Sequence, residues 1–193
     1  MASWTPPTTA GHPVAILGAR VLGRRMALMS LRRPLLHHQH RSSLAQPGVA
    51  PGTARAFSSI DEAVTNAWLV IEAIPEILSL KISTFADLAA LAPQGCILAS
   101  NSSSYKSSAM LDAVPASARP RILNMHFFMP PAIRVVELMT CGVTHPAIFP
   151  FLYEELTKLK MSPVVVKRES TGFLFNRIWA AIKRECLTVI ADG

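Results

Sequence analysis

His126 stands in the apolar run Asn124-Met125-His126-Phe127-Phe128-Met129-Pro130-Pro131, and Glu137 follows in Val135-Val136-Glu137-Leu138. An imidazole titrates near neutrality, and a carboxylate bonded to it fixes its orientation and stabilises its cation, so such a pair is a proton-transfer device. The Pro-Pro turn between two strand-like runs would place the two side chains on neighbouring strands. His126 alone would read as a satisfied core histidine. Glu137 changes that reading, because burying a lone carboxylate in an apolar strand is costly unless it is paired.

A second constellation lies near the start, where the apolar run Pro13–Leu17 ends in Gly18-Ala19-Arg20-Val21-Leu22-Gly23. This matches the dinucleotide fingerprint GxGxxG at its first and third glycines, which permit the tight turn and close helix–sheet packing. Arg20 replaces the second glycine, which lets the backbone approach a pyrophosphate. The fingerprint also expects an acid about 20 positions on to bind ribose, yet no acid precedes Asp61. A ligand-free strand-turn-helix explains two glycines equally well, and position at the head of an α/β chain favours the dinucleotide. Ala99-Ser100-Asn101-Ser102-Ser103-Ser104 closes a strand at the end where open α/β sheets bind ligands, or forms a Ser-rich helix cap. His37, His38 and His40 lack helical spacing and a nearby carboxylate or cysteine, so no metal site is expected.

The elements that hold these residues follow from period and punctuation. Pro13–Leu17 predicts a strand and Val21–Met29 a helix. Residues 30–56, rich in Arg, His, Pro and Gly, read as loop or disorder. Ser59-Ile60-Asp61-Glu62 is a capping box opening a short helix to Ala67. Trp68–Ile74 predicts a strand buried on both faces. Leu78, Ile82, Phe85 and Ala89 predict a helix, Cys96–Ser100 a strand and Lys106–Val114 a short helix. Arg121–Phe128 and Arg134–Thr140 predict strands, Ala147–Leu159 a helix, and Pro163–Lys167 a last strand. Strands alternating with helices predict an α/β fold with a mostly parallel sheet. A helical pattern from Gly172 to Ala191 has no partner in the sequence, as for the start of a second domain.

Half of the 193 residues are hydrophobic, enough for one substantial core. Cys96, Cys141 and Cys186 are odd in number and far apart, which argues against a disulfide framework and fits a reducing, intracellular setting. No apolar run reaches the roughly 20 residues of a membrane-spanning helix, and the first dozen residues lack secretory features. The chain reads as soluble and cytoplasmic. Its net charge of +7 lies in residues 1–60, which carry seven arginines and no acid; residues 61–193 hold twelve basic and twelve acidic side chains. No aromatic residues interleave these arginines, so nucleic-acid binding is not expected.

Six motifs, taken in order, resemble the 3-hydroxyacyl-CoA dehydrogenase family: Gly18-x-x-x-x-Gly23, Val70-Ile71-Glu72-Ala73-Ile74-Pro75-Glu76, Leu98-Ala99-Ser100-Asn101-Ser102-Ser103-Ser104, Met125-His126-Phe127-Phe128-x-Pro130, Val136-Glu137 and Gly172-Phe173-x-x-Asn176-Arg177. The resemblance implies a Rossmann-type NAD-binding domain over residues 13–168, then the first helix of a truncated all-α C-terminal domain over 169–193. It implies NAD as hydride carrier and oxidation of a 3-hydroxyacyl-CoA to a 3-oxoacyl-CoA. By motif, His126 would be the general base and Glu137 its orienting partner. Ser103 and Asn176 would hydrogen-bond the reacting oxygen. Gly18, Ala19 and Gly23 would line the cofactor turn, with Glu76, Lys81 and Asn101 near the nicotinamide. An acyl-CoA would be the substrate, and a complete C-terminal domain would make a homodimer.

The departures from the family are specific. Arg20 stands at the pyrophosphate glycine, Met129 replaces an Asn common in the His126 motif, and the His-to-Glu interval is one residue shorter than usual. Residues 30–56 do not resemble the family and omit its second strand, the acid on that strand, and the helical pair that contacts CoA. An alternative expectation is therefore a catalytically impaired remnant that keeps the fold and at most weak acyl-CoA or partner binding.

Overall fold

The computed structural model describes residues 4–30 and 53–193. The apolar runs read as strands become β1 (Val14–Leu17), β2 (Leu69–Glu72), β3 (Ile97–Ser100), β4 (Ile122–Met129), β5 (Ile133–Thr140) and β6 (Ser162–Val166). They form one six-stranded sheet in sequential order. β1 to β4 run parallel, β4 and β5 are antiparallel, and β6 runs parallel to β5. Every residue of β2 and β3 is buried, as expected for central parallel strands covered on both faces.

The helices are α1 (Val21–Ser30), α2 (Ile60–Val64), α3 (Leu78–Leu91), α4 (Ile148–Lys158) and α5 (Phe175–Asp192). Val64, Phe85 and Leu88 of α2 and α3 pack with Val70, Leu98 and Ile122 on one face of the sheet. Met26 of α1 and Leu152 and Leu156 of α4 pack with Ile71, Leu123, Met125 and Phe127 on the other. The architecture is a Rossmann-type α/β sandwich. No residue of α5 is buried. No helix among the described residues is long and apolar enough to cross a membrane.

Two local expectations fail. Ser59 takes the extended N-cap backbone of α2 but makes no capping bond; it bonds the Asp61 side chain instead, holding that exposed carboxyl below its ordinary range. Lys106–Val114 contributes only a 3-10 turn, Ser107–Met110. Ser107 N–H donates to Asn124 Oδ1 at 2.7 Å and Ser108 N–H to Glu169 Oε1 at 2.9 Å, which anchors the turn, while its backbone bonds, such as Leu111 N–H to Ser108 O, run three residues back rather than four. Of residues 30–56, read as loop, 31–52 lie outside the described residues, as does the His37–His40 tract; 53–56 are neither helix nor strand.

The turn from β1 to α1 needs both of its glycines. Gly18 has φ +111°, and a Cβ there would strike Ala73 O and lie 2.8 Å from Ala73 C. A Cβ on Gly23 would strike Gly18 O and lie 3.0 Å from Gly18 C. Gly23→Ala is therefore expected to destabilise the fold by about 1–3 kcal/mol, the usual cost of overpacking. Gly95→Ala, whose added Cβ meets nothing within 4 Å, is the control. Urea midpoints of both variants check this, the first falling and the second staying near wild type.

Candidate active site

Among the described residues the sheet has one antiparallel pair, and it brings a histidine and a carboxylate together. Its register sets His126 on β4 directly opposite Glu137 on β5, and His126 Nδ1 lies 2.9 Å from Glu137 Oε2. Both residues are buried, at 5% and 1% exposure. The other oxygen, Oε1, accepts the N–H groups of Leu174 at 2.9 Å and Phe175 at 2.7 Å, where α5 begins. A carboxylate at a helix N-terminus is favoured by the helix dipole as well as by these bonds. Burial pushes the Glu137 carboxyl up, but His126 and the two amides outweigh it and hold it below the ordinary carboxylate range.

Aromatic rings enclose the imidazole. Phe173 stacks on it with centroids 5.2 Å apart and planes 19° apart. Phe128 lies tilted against it at 4.6 Å and meets Phe175 edge-on at 4.7 Å. Phe173 has φ +55°, a left-handed conformation that costs a side-chain-bearing residue about 1–3 kcal/mol.

Ser103 and Asn176 also meet here. Asn176 Nδ2 donates to the backbone carbonyl of Ser103 at 3.2 Å, joining α5 to the loop after β3. Asn101 lies at the base of that loop, where its Oδ1 accepts the Phe127 N–H at 2.8 Å, next to His126.

A second polar cluster occupies the C-terminal ends of β2 and β3. Lys81 is buried, with Nζ 2.7 Å from Glu72 Oε1 and 3.2 Å from Glu76 Oε2. Ser100, paired with Glu72 across the strands, donates to Glu72 Oε2 at 2.7 Å, and the Ile74 N–H donates to Oε1 at 2.9 Å. Ser102 donates to Glu76 Oε1 and accepts the N–H groups of Ser104 and Tyr105. Burial raises the Glu76 carboxyl, but Ser102, Lys81 and the Ser104 N–H together hold it low. Thus the serine-rich segment is a turn bound to Glu76 rather than a helix cap. Glu72, Ser100 and Ser102, absent from the sequence-based site, are its interior members. The Glu-x-x-x-Glu spacing in Glu72–Glu76 was the available signal.

Gly18 follows β1 beside this cluster, since Leu17 pairs with Glu72 and Gly18 abuts Ala73. The Gly18–Gly23 turn keeps two of the three glycine features of a dinucleotide turn, the tight turn at Gly18 and the close helix approach at Gly23. Ala19 and Arg20 are exposed at its tip. No strand bearing a ribose-binding acid lies between α1 and β2 among the described residues. The two glycines suit a pyrophosphate and the Arg20 side chain stands where the fingerprint's second glycine would be; Glu76, 39% exposed in its side chain, is the reachable member of the neighbouring cluster.

A Rossmann-type sheet with this glycine turn and a His–carboxylate pair at its one direction reversal places the chain among dinucleotide-binding α/β proteins. The family described as 3-hydroxyacyl-CoA dehydrogenase, NAD binding domain, matches residues 8–170, and the chain belongs to it. It is 56% identical over 77 residues to a 3-hydroxyacyl-CoA dehydrogenase-like protein of Cochliobolus heterostrophus, covering 40% of this chain and 16% of that one. It is 34% identical over 157 residues to an L-carnitine dehydrogenase of Streptomyces griseus, covering 78% and 46%. The crystal structure of 5-formyl-3-hydroxy-2-methylpyridine 4-carboxylic acid 5-dehydrogenase, an NAD+ dependent dismutase, superimposes with a TM-score of 0.79 at 28% identity, covering 93% of this chain and 65% of that one. The chain spans less than half the length of these two curated relatives.

Two outcomes follow from the carboxylates. Because the folded Glu137 pKa lies below its ordinary value, about 4.3, its contribution to stability is present above that value and is lost as pH falls through the folded one. In urea titrations from pH 6 to pH 2.5, wild type should lose stability more steeply than Glu137→Gln. Lys81→Met leaves the buried Glu72 carboxylate without its cation and should cost about 3–5 kcal/mol, measured by the same titration at pH 7.

Proposed function

We propose that this chain carries the cofactor turn and the proton-transfer centre of an NAD-dependent dehydrogenase that oxidises a 3-hydroxyacyl-CoA to the 3-oxoacyl-CoA. The observation supporting it most directly is the buried His126–Glu137 pair. With Nδ1 bonded to Glu137, His126 offers Nε2 as the base that takes the proton from the substrate 3-hydroxyl. Glu137 keeps the imidazole in that orientation and stabilises the cation formed by proton uptake. Ser103 and Asn176, drawn together at the loop after β3, hold the reacting oxygen. NAD, when bound, supplies the hydride acceptor. Gly18, Ala19 and Gly23 would hold its pyrophosphate, with Glu76, Lys81 and Asn101 on the side toward the nicotinamide. Lys81 would act there through Glu76, because it is buried between two carboxylates. The residues 13–168 form the cofactor domain in this reading, and α5 opens a helical unit from residue 169.

His126→Ala should lower NADH formation from a short-chain 3-hydroxyacyl-CoA by about 10²–10⁴-fold, the usual contribution of a positioned general base. Activity that survives the substitution removes His126 from the mechanism.

The exposed Arg20, standing at the glycine nearest the pyrophosphate, favours a second reading in which the fold persists without efficient cofactor use. Calorimetric titration with NAD separates the two. Saturable binding supports the dehydrogenase, and absence of heat at millimolar NAD supports the remnant.

A further inference from the structure

Phe173 is buried at 1% exposure yet belongs to neither of the two apolar cores. Its ring lies on the His126 imidazole instead, nearly parallel to it. It reaches that position through a turn in which Gly172 and Phe173 both have positive φ, +76° and +55°. Glycine adopts this backbone freely, whereas phenylalanine is crowded in it. The turn is closed on both sides by one residue: the Phe173 N–H donates to Ser170 O at 3.2 Å, and Ser170 Oγ donates to Phe173 O at 3.1 Å. Ser170 N–H in turn reaches Met139 Sδ on β5 at 3.4 Å. The next two amides are those bonded to Glu137 Oε1.

We infer that Phe173 is a positioning residue for His126, acting on the face of the ring as Glu137 acts on its edge. The bond through Nδ1 restrains rotation of the imidazole about Cβ–Cγ, yet a hydrogen bond tolerates angular departures of about 30°. Rocking of the ring within that tolerance would still displace Nε2 from a substrate oxygen. The stacked ring limits this rocking, and Phe128 adds a tilted contact. A strained backbone conformation persists where surrounding bonds over-determine it, and such residues cluster at functional sites. Here the strain holds an aromatic face against a base. The flat ring also offers its negative π-face to the imidazolium that forms on proton uptake.

The inference rests on His126 being the base, and its test separates the two claims. Phe173→Leu removes the aromatic face and keeps apolar bulk. Phe173→Met does so with a more adaptable side chain, and Phe173→Tyr keeps the face. In the full chain labelled with ¹³C,¹⁵N-histidine, the wild-type His126 ring protons should be displaced upfield by the stacked ring, with one tautomer carrying the proton on Nδ1. Leu and Met remove the ring-current displacement by composition alone; the positioning readout is line width, and both should broaden the His126 ring signals by exchange between ring orientations, whereas Tyr should keep the wild-type spectrum. In turnover, Leu and Met should lower kcat about 10-fold, within the range that small misplacements cost, with KM nearly unchanged. A role in folding alone would lower the melting temperature and leave the His126 line widths and the kcat-to-KM split unaltered. His126 line widths and kcat that stay at wild-type values in a folded ring-free variant overturn the inference. If His126→Ala retains activity while the ring-free variants still broaden the His126 signals, the base assignment fails and the positioning of the ring stands.

Discussion

The Glu137 carboxylate is the contact on which the site depends. A buried carboxylate is tolerable only with its lone pairs occupied, and here one oxygen faces an imidazole while the other gathers two amides from the start of α5. The sheet explains why such a contact exists at this place. Parallel neighbours joined through helices bring distant segments together, whereas the β4–β5 reversal sets residues of one hairpin face to face. One side chain therefore aligns a strand, a second strand and a helix. The aromatic enclosure of His126 depends on it, because Phe173 and Phe175 belong to the segment those amides anchor.

The loop after β3 connects this centre with the polar cluster beside the glycine turn. Its base is tied to β4 by Asn101, its interior to Glu76 through Ser102, and its far side to α5 through the Ser103 carbonyl. Residues whose motifs are far apart in the chain thus share one short backbone segment. The buried Lys81 holds the Glu72 end of that arrangement, and the closure of Gly18 on Ala73 sets the neighbouring turn. The two halves of the site are mechanically one structure even though different motifs mark them.

Most of the fold was legible because strand burial imposes composition. The run from Trp68 to Ile74 has no other reasonable place than a central strand, and the alternation of such runs with helical periods specifies the layers. The His126–Glu137 pair was legible for the same reason, since an apolar strand does not hold an unpaired carboxylate. What escaped depends on long-range bonds to backbone. The capping box around Ser59 failed because a hydroxyl can choose a nearby carboxylate over an amide. The helix expected at Lys106 is a single turn whose backbone bonds run three residues back rather than four, anchored by distant side chains, Asn124 and Glu169, that no local pattern announces. Phe173 could be read only as a motif letter, because neither its left-handed backbone nor its stacking leaves a periodic trace. The Glu72–Lys81 pairing was hidden because Glu72 sits within a strand and Lys81 within a helix, each explicable alone.

An 18-residue helix rises about 27 Å at 1.5 Å per residue, and α5 has this length without a buried residue. Its restraints lie at its first turn, on Glu137 and on the Ser103 carbonyl. A rod held at one end is a lever. A tilt small at the fulcrum becomes several ångströms at the tip, and a force applied at the tip is multiplied where the rod is held. The fulcrum here is the carboxylate bonded to the imidazole, so a load on the far end of α5 is passed to the His126–Glu137 contact.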